Sequence, residues 1–172
     1  MSHLPLNRRN FLFGAAAIAG ALTVRSLNPA TALAASRGYE VTHSESQWRS
    51  LVGPDRYHIL REEGTEAPWS SVLNKEKRSG TYACSGCDLA AFSAATKFDD
   101  PYGWPSFYRP LPNAIRTKTD MTLFEPRTEV HCRRCGSHLG HLFKDGPRPT
   151  GLRYCIDGLA LAFHPAANPA PR

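Results

Sequence analysis

Apolar and polar residues change rhythm three times along the chain. Residues 11–22 form an unbroken apolar run, rich in alanine and glycine, ending at Leu22. From Ser44 the apolar positions become spaced. Trp48 and Leu51, then Tyr57 and Leu60, recur three residues apart, which predicts two short helices with one packed face each. Ser44-Glu45-Ser46-Gln47 fits a capping box that opens the first helix, with side chain and backbone satisfying each other's free groups. Gly53-Pro54-Asp55 breaks it, Pro54 suits the first position of a second helix running through Arg61, and Gly64 is the expected stop. Both helices read as scaffold, with Trp48 and Tyr57 packing inward and His43 and His58 unpartnered on the surface.

Beyond residue 80 the period shortens. Gly80 to Cys84, Ala90 to Phe98, Met121 to Phe124 and Thr128 to His131 cluster or alternate β-branched and aromatic residues between Gly, Pro, Asp and Asn, predicting short antiparallel strands. Asp100 to Tyr108 departs from this pattern. It sets four aromatics among a glycine and two prolines, where neither helix nor long strand persists, so the rings sit on a rigid loop. Such a loop can line a pocket or simply cover a core.

The leading apolar run changes the picture of the N-terminus. Arg8 and Arg9 stand directly before it, and small residues recur at Ala30-Thr31-Ala32 and Ala32-Leu33-Ala34. Charged start, apolar stretch and A-x-A site are the parts of a secretory signal, and the run is short of the roughly 20 apolar residues of a membrane span. Two arginines followed by Phe-Leu resemble the twin-arginine export signal. The expectation is a signal over residues 1–34 cleaved near Ala34, a periplasmic mature domain over residues 35–172, and no stable membrane anchor. The formal charge of +6 then loses Arg8, Arg9 and Arg25, leaving 18 basic against 15 acidic residues. That balance, without any block of like charge, argues against nucleic acid as a partner. One domain, expected as a monomer, fits the length.

Five cysteines carry the chemistry. Cys84-Ser85-Gly86-Cys87 and Cys132-Arg133-Arg134-Cys135 share the spacing in which two thiolates reach one ion, and together they can close a tetrahedral zinc site. The 44 intervening residues mean that the metal would staple two distant hairpins. Two disulfides, or a redox-active pair, are the competing reading for an exported chain. Zinc loaded in the reducing cytoplasm before export would shield the sulfurs.

Cys155 is left over, in Gly151-Leu152-Arg153-Tyr154-Cys155-Ile156-Asp157. Arg153 is a cation that would favour the thiolate. His138 and His141 can deliver a proton near neutral pH, and Asp145 lies four residues beyond them. The bland alternative makes the histidines metal ligands or surface residues and Cys155 a buried small hydrophobe.

Thr96-Lys97-Phe98-Asp99, Gly103-Trp104-Pro105-Ser106-Phe107, Arg127-Thr128-Glu129-Val130, Cys135 to His141 and Gly151 to Cys155 resemble the B-type peptide methionine sulfoxide reductases, in order from about Tyr39 to Phe163. The resemblance implies a mainly β fold of two antiparallel sheets (a β-tent) with short N-terminal helices and structural zinc on Cys84, Cys87, Cys132 and Cys135. It implies that Cys155 attacks the sulfur of a methionine-R-sulfoxide and becomes a sulfenic acid. His141 matches the proton donor, His138 its helper, Asp145 and Arg153 the electrostatic setting, and Trp104 and Phe107 the wall around the S-methyl group. Oxidised methionine-containing proteins would be the substrates. A non-catalytic zinc-knuckle binding module of the same fold is the alternative.

Two positions depart from the family. Asp157 stands where asparagine is usual, and ionised it would repel the thiolate and raise its pKa. Tyr102 stands where many relatives carry a resolving cysteine. With four thiols on zinc, Cys155 then needs an outside reductant, either a thioredoxin-like protein or a small thiol.

Overall fold

The computed structural model describes residues 38–167 apart from Phe124, so the expected signal lies outside the described residues. No helix among those residues is long and apolar enough to cross a membrane.

The capping box forms as expected: Gln47 N–H donates to Ser44 Oγ at 3.3 Å and Ser44 N–H to Gln47 Oε1 at 2.8 Å, starting α1, Glu45–Val52. Gly53 ends it and Pro54 opens α2, Pro54–Glu62. The stop falls one residue earlier than Gly64: Glu63 takes the left-handed turn, and Gly64 N–H closes onto the His58 carbonyl at 3.0 Å. Trp48 and Tyr57 are buried, and His43 and His58 are exposed. His58 does have a partner, since its Nδ1 lies 3.0 Å from Glu62 one turn on.

The strands are β1 Gly80–Cys84, β2 Ala90–Ser93, β3 Lys97–Phe98, β4 Ser106–Phe107, β5 Ile115–Asp120, β6 Arg127–Cys132, β7 His138–Phe143, β8 Arg153–Ile156 and β9 Leu161–Pro165. They form two antiparallel sheets, a three-stranded one in the order β2-β1-β9 and a six-stranded one in the order β3-β4-β8-β7-β6-β5. The mainly β class with short N-terminal helices is therefore what the chain adopts. Two expected strands need correction. Ala90 to Phe98 is broken after Ser93, whose hydroxyl accepts from Ala95 N–H and turns the chain through a 3-10 segment. Met121 to Leu123 is a turn, because Asp120 Oδ1 accepts from both the backbone and the hydroxyl of Thr122 at 2.9 and 2.6 Å, a side chain doing the work of a backbone turn.

The sheets meet through aromatics. Phe92 from the small sheet stacks on Phe107 from the large one with centroids 4.5 Å apart, and Tyr82 meets Phe107 edge-on at 5.0 Å. All three are fully buried. Each such ring removed from water is worth about 1.5–3 kcal/mol, with something added by the pairing geometry. This core fixes one face of the six-stranded sheet and leaves the other to the polar residues.

Candidate active site

Strand parity explains which side chains meet. Residues three apart on a strand normally face opposite sides, which would separate His138 from His141. β7 carries one extra residue, Leu139, between the pairs His131–His138 and Val130–Gly140. This bulge restores both imidazoles to one face, with centroids 5.3 Å apart, and sends Leu139 into the core. Register then places Cys155 directly opposite His141, and Ser106 opposite Cys155. Gly140 lets β8 approach this closely, since a Cβ there would lie 2.1 Å from the Cys155 carbonyl oxygen.

Cys155, His141, Asp157, Trp104, Phe143, Arg127 and Thr65 surround a cavity of about 120 Å³. Trp104 is pinned by its indole N–H to the Glu66 carbonyl at 3.2 Å. Asp157 accepts from the Glu66 N–H at 3.0 Å, and the Glu66 carboxylate accepts from Gly158 and Leu159 N–H at 2.6 and 3.1 Å. One residue thus ties two walls of the cavity to the turn after Cys155.

His141 Nε2 lies 2.8 Å from Asp120 Oδ2, which also takes Arg127 at 2.6 Å. The hydrogen bonds of Thr122 hold the Asp120 carboxyl well below its usual range, with His141 and Arg127 adding to the effect. Asp120 is therefore a carboxylate, Nε2 carries the hydrogen, and Nδ1 is left as the free acceptor of a neutral ring. Burial lowers the His141 pKa, against the opposing pull of Asp120. One layer back, His138 Nδ1 meets Glu129 Oε1 at 3.0 Å, Glu129 meets Lys118 at 2.7 Å, and His138 Nε2 faces Asp157 Oδ2 at 3.9 Å.

Arg153 lies beside the thiol, clamped by both carboxylate oxygens of Asp145 at 2.8 and 2.9 Å and by Asp100 at 3.3 Å. Its guanidinium is sandwiched between Phe143 and Tyr102, 4.3 and 4.4 Å from the ring centres. The cation does not deliver a resting thiolate. Burial pushes the Cys155 thiol up to about 11, with Arg153 pulling it down and Asp100 and Asp157 adding to the rise. Burial likewise pushes Asp157 up to about 6.

Of the residues expected here, Cys155, His141, Asp157 and Trp104 line the cavity, Arg153 and Asp145 lie behind the thiol, and His138 stands behind Asp157. Phe107 does not belong with them. It pairs with Tyr154 on the core face of β4, one residue out of phase with Ser106, and is wholly buried against Phe92 and Tyr82; Phe143 supplies the second ring. The aspartate that orients a histidine is Asp120, whereas Asp145 serves Arg153.

The other four thiols converge elsewhere. Each knuckle is built the same way: Asp88 N–H returns to the Cys84 carbonyl at 2.8 Å, Gly136 N–H to the Cys132 carbonyl at 2.9 Å, and Asp88 and Gly136 both adopt the left-handed region. Cys84 and Cys135 sulfurs lie 3.7 Å apart and those of Cys87 and Cys132 3.5 Å, with all four ligand atoms within 4.8 Å of one another. A tetrahedron with Zn–S bonds of about 2.3 Å has edges near 3.8 Å, so the donor set fits zinc. The thiols cannot all ionise unaided, for hydrogen bonds to Cys132 and Cys135 push Cys84 well above the ordinary range. A dication removes that conflict.

The SelR domain family matches residues 52–165 of the chain. This chain belongs to that family, the B-type peptide methionine sulfoxide reductases. It is similar to the peptide methionine sulfoxide reductase MsrB of Methanosarcina barkeri, 48% identical over 124 residues that make up 72% of this chain and 87% of that protein. The protein of the same name from Thiobacillus denitrificans is 49% identical over 123 residues, 71% and 93% of the two chains. Peptide methionine sulfoxide reductase B1, chloroplastic, of Arabidopsis thaliana is 45% identical over 122 residues, 70% and 60%.

Several residues of the reductase site escaped a reading by local spacing: Asp120, Glu129, Glu66, Asp100 and Phe143. Glu129 lies on the strand expected over Thr128 to His131, and Arg127 on the one-residue extension that the structure adds to it, so their shared face shows only with the observed bounds. Asp120 and Glu66 reach the site across distant chain segments, and neither has a neighbour in sequence that betrays it.

Proposed function

We propose that this chain reduces methionine-R-sulfoxide within oxidised polypeptides, with Cys155 as nucleophile and His141 as the group that moves the proton. The observation carrying this is the cross-strand pairing of His141 with Cys155 inside a small cavity walled by Trp104 and Phe143. A methyl sulfoxide has one apolar end and one strong acceptor oxygen. The rings suit the first, the imidazole the second.

With thiol and imidazole both neutral at rest, the protons balance within the site. His141 Nδ1 takes the S–H proton and passes it to the sulfoxide oxygen as the Cys155 sulfur attacks the sulfoxide sulfur, so nucleophile and leaving oxygen are activated together. The protonated oxygen then shifts to the Cys155 sulfur as both its bond to the methionine sulfur and the transient bond between the two sulfurs break. Methionine departs reduced by two electrons, and Cys155 remains as a sulfenic acid. One outside thiol then attacks the sulfenic sulfur, releasing water and leaving a mixed disulfide, and a second thiol frees Cys155. A small thiol or a thioredoxin-like protein fills that role, because Tyr102 holds no sulfur and the other four cysteines gather at the metal cluster. Zinc on Cys84, Cys87, Cys132 and Cys135 would cross-link the two knuckles.

The repair of exported proteins follows if residues 1–34 act as a twin-arginine signal, with zinc loaded before export. Mature periplasmic protein should begin near Ala35, and a terminus still at Met1 would overturn this part. The central test assays both epimers of a sulfoxide peptide with dithiothreitol. The R epimer alone should be reduced, and Cys155→Ser should lose activity on the order of 1,000-fold or more. Unchanged activity in that variant would leave a zinc-knuckle binding module in place of an enzyme.

A further inference from the structure

We propose that the groove on the far side of Trp104 holds the stretch of substrate polypeptide next to the oxidised methionine and favours acidic residues there. This rests on the reductase reading above and adds the class of polypeptide the site accepts.

A cavity of about 120 Å³ admits the end of one side chain and little more. Trp104 also walls a second concavity of about 760 Å³, lined by Trp69, Lys75, Lys77, Lys97, Phe98 and Pro101 among others. That volume lies within the range of sites that enclose several chemical groups. A chain whose sulfoxide enters the small cavity past Trp104 has this groove beside it.

The groove is built at a conformational cost. Trp69 lies in the left-handed region at φ 67, unfavourable for a bulky side chain, and yet the residue is 64% exposed. Its backbone N–H donates to the Gly103 carbonyl at 2.8 Å, as does the Asn74 side-chain amide at 2.9 Å. A Cβ on Gly103 would lie 2.9 Å from the Trp69 backbone nitrogen, so the approach needs glycine. The backbone is fixed there while the ring stays in solvent, so burial within the chain does not account for the position, whereas an apolar ligand side chain laid against the indole would.

Charge narrows the ligand. Three lysines border the groove against one outward carboxylate, Asp99, which pairs with Lys77. Asp100 turns inward to Arg153 and Ser106. The excess is cationic, and Lys75 is exposed at its edge. An extended segment with Asp or Glu next to the sulfoxide complements it.

The test uses the mature, zinc-loaded chain with an R-sulfoxide in three settings: a hexapeptide with aspartates flanking the sulfoxide, the same peptide with lysines, and N-acetylmethionine sulfoxide amide, which is too short to reach the groove. Lys75→Glu should raise KM for the aspartate peptide about fivefold and lower it for the lysine peptide. Trp69→Ser should raise KM for both peptides about tenfold, roughly 1.4 kcal/mol of binding. In each variant kcat/KM for the short amide should move less than twofold. Equal shifts for all three substrates, or none, would overturn the inference while leaving the reductase reading in place. An unmutated chain inactive on all three would overturn both.

Discussion

Two regions of this molecule bring thiols out of water and solve the resulting charge problem in different ways. The knuckle cysteines lie on paired turns that aim four sulfurs at a single point, where only a bound cation allows all of them to ionise. Cys155 lies within a strand, so its partner is whatever the neighbouring strand presents, and β7 presents His141. A turn concentrates identical groups and favours a permanent metal. A ladder juxtaposes unlike groups and favours a proton that moves once per turnover. Arg153 sharpens the contrast, because a guanidinium already committed to Asp145 and Asp100 lowers the thiol pKa without overcoming burial.

The largest effect should come from the metal. Structural zinc contributes on the order of 10 kcal/mol of folding free energy in small domains, so stripping it with a strong chelator, or replacing Cys132 with serine, should unfold the domain by far-UV circular dichroism. Cys155→Ser should keep one zinc per chain and the parent melting temperature while losing activity. Zinc lost from Cys155→Ser, or retained with a normal melt in Cys132→Ser, would break the division between the two regions. Next in size is the fate of the oxidised sulfur. One turnover without reductant should yield one methionine per chain and a Cys155 carrying one added oxygen in the mass spectrum; an intramolecular disulfide would mean that a knuckle thiol takes part.

The two aromatics expected to wall the site separate the same way. Phe107→Ala should cost about 3–5 kcal/mol of stability by emptying a packed core position, whereas Trp104→Ala should mainly raise KM. Chemical denaturation and steady-state kinetics on both variants check this. Comparable stability losses would place both rings in the core.

Much of this was legible in the chain itself. The capping box, Pro54, β1, β6 and both knuckles are local patterns, and each forms where its residues stand. Spacing singled out Cys155, His138 and His141, and the family motifs gave their roles and brought Trp104 into view. What escaped depends on register. Phe107 and Ser106 are adjacent in a motif, and nothing short of the pairing of β4 with β8 says which of them shares a face with Cys155. The bulge at Leu139 decides that His138 and His141 meet, and a strand reading without it would part them. Asp120 joins His141 across β6, a distance that no sequence window spans.

The smallest effect, and the one most specific to this chain, concerns Asp157. It lies buried among Glu66, His138 and Cys155, with His141 and Arg127 across the cavity. Burial lifts its pKa from 3.8 to about 6 in the folded chain. Below pH 3.8 folded and unfolded chains both hold the proton. Between 3.8 and about 6 the folded state alone holds it, so stability falls as pH rises, and above 6 the cost is complete. At about 1.4 kcal/mol per unit this comes to roughly 3 kcal/mol. Asp157→Asn removes the charge and keeps an acceptor for the Glu66 N–H. The variant should melt several degrees above the parent at pH 7.5, and the gap should shrink to about a third of that by pH 4.5 and close only below about pH 3.8. The same substitution removes a like charge from beside the thiol, so alkylation of Cys155 by iodoacetamide should rise at lower pH than in the parent. Parent activity should fall once Asp157 loses its proton above about pH 6, and so should peak on the acidic side of the variant's. Identical melting gaps at both pH values, with superimposable activity profiles, would mean that Asp157 carries no titrating proton, and that the cavity works in this chain as it would with the asparagine that is usual in the family.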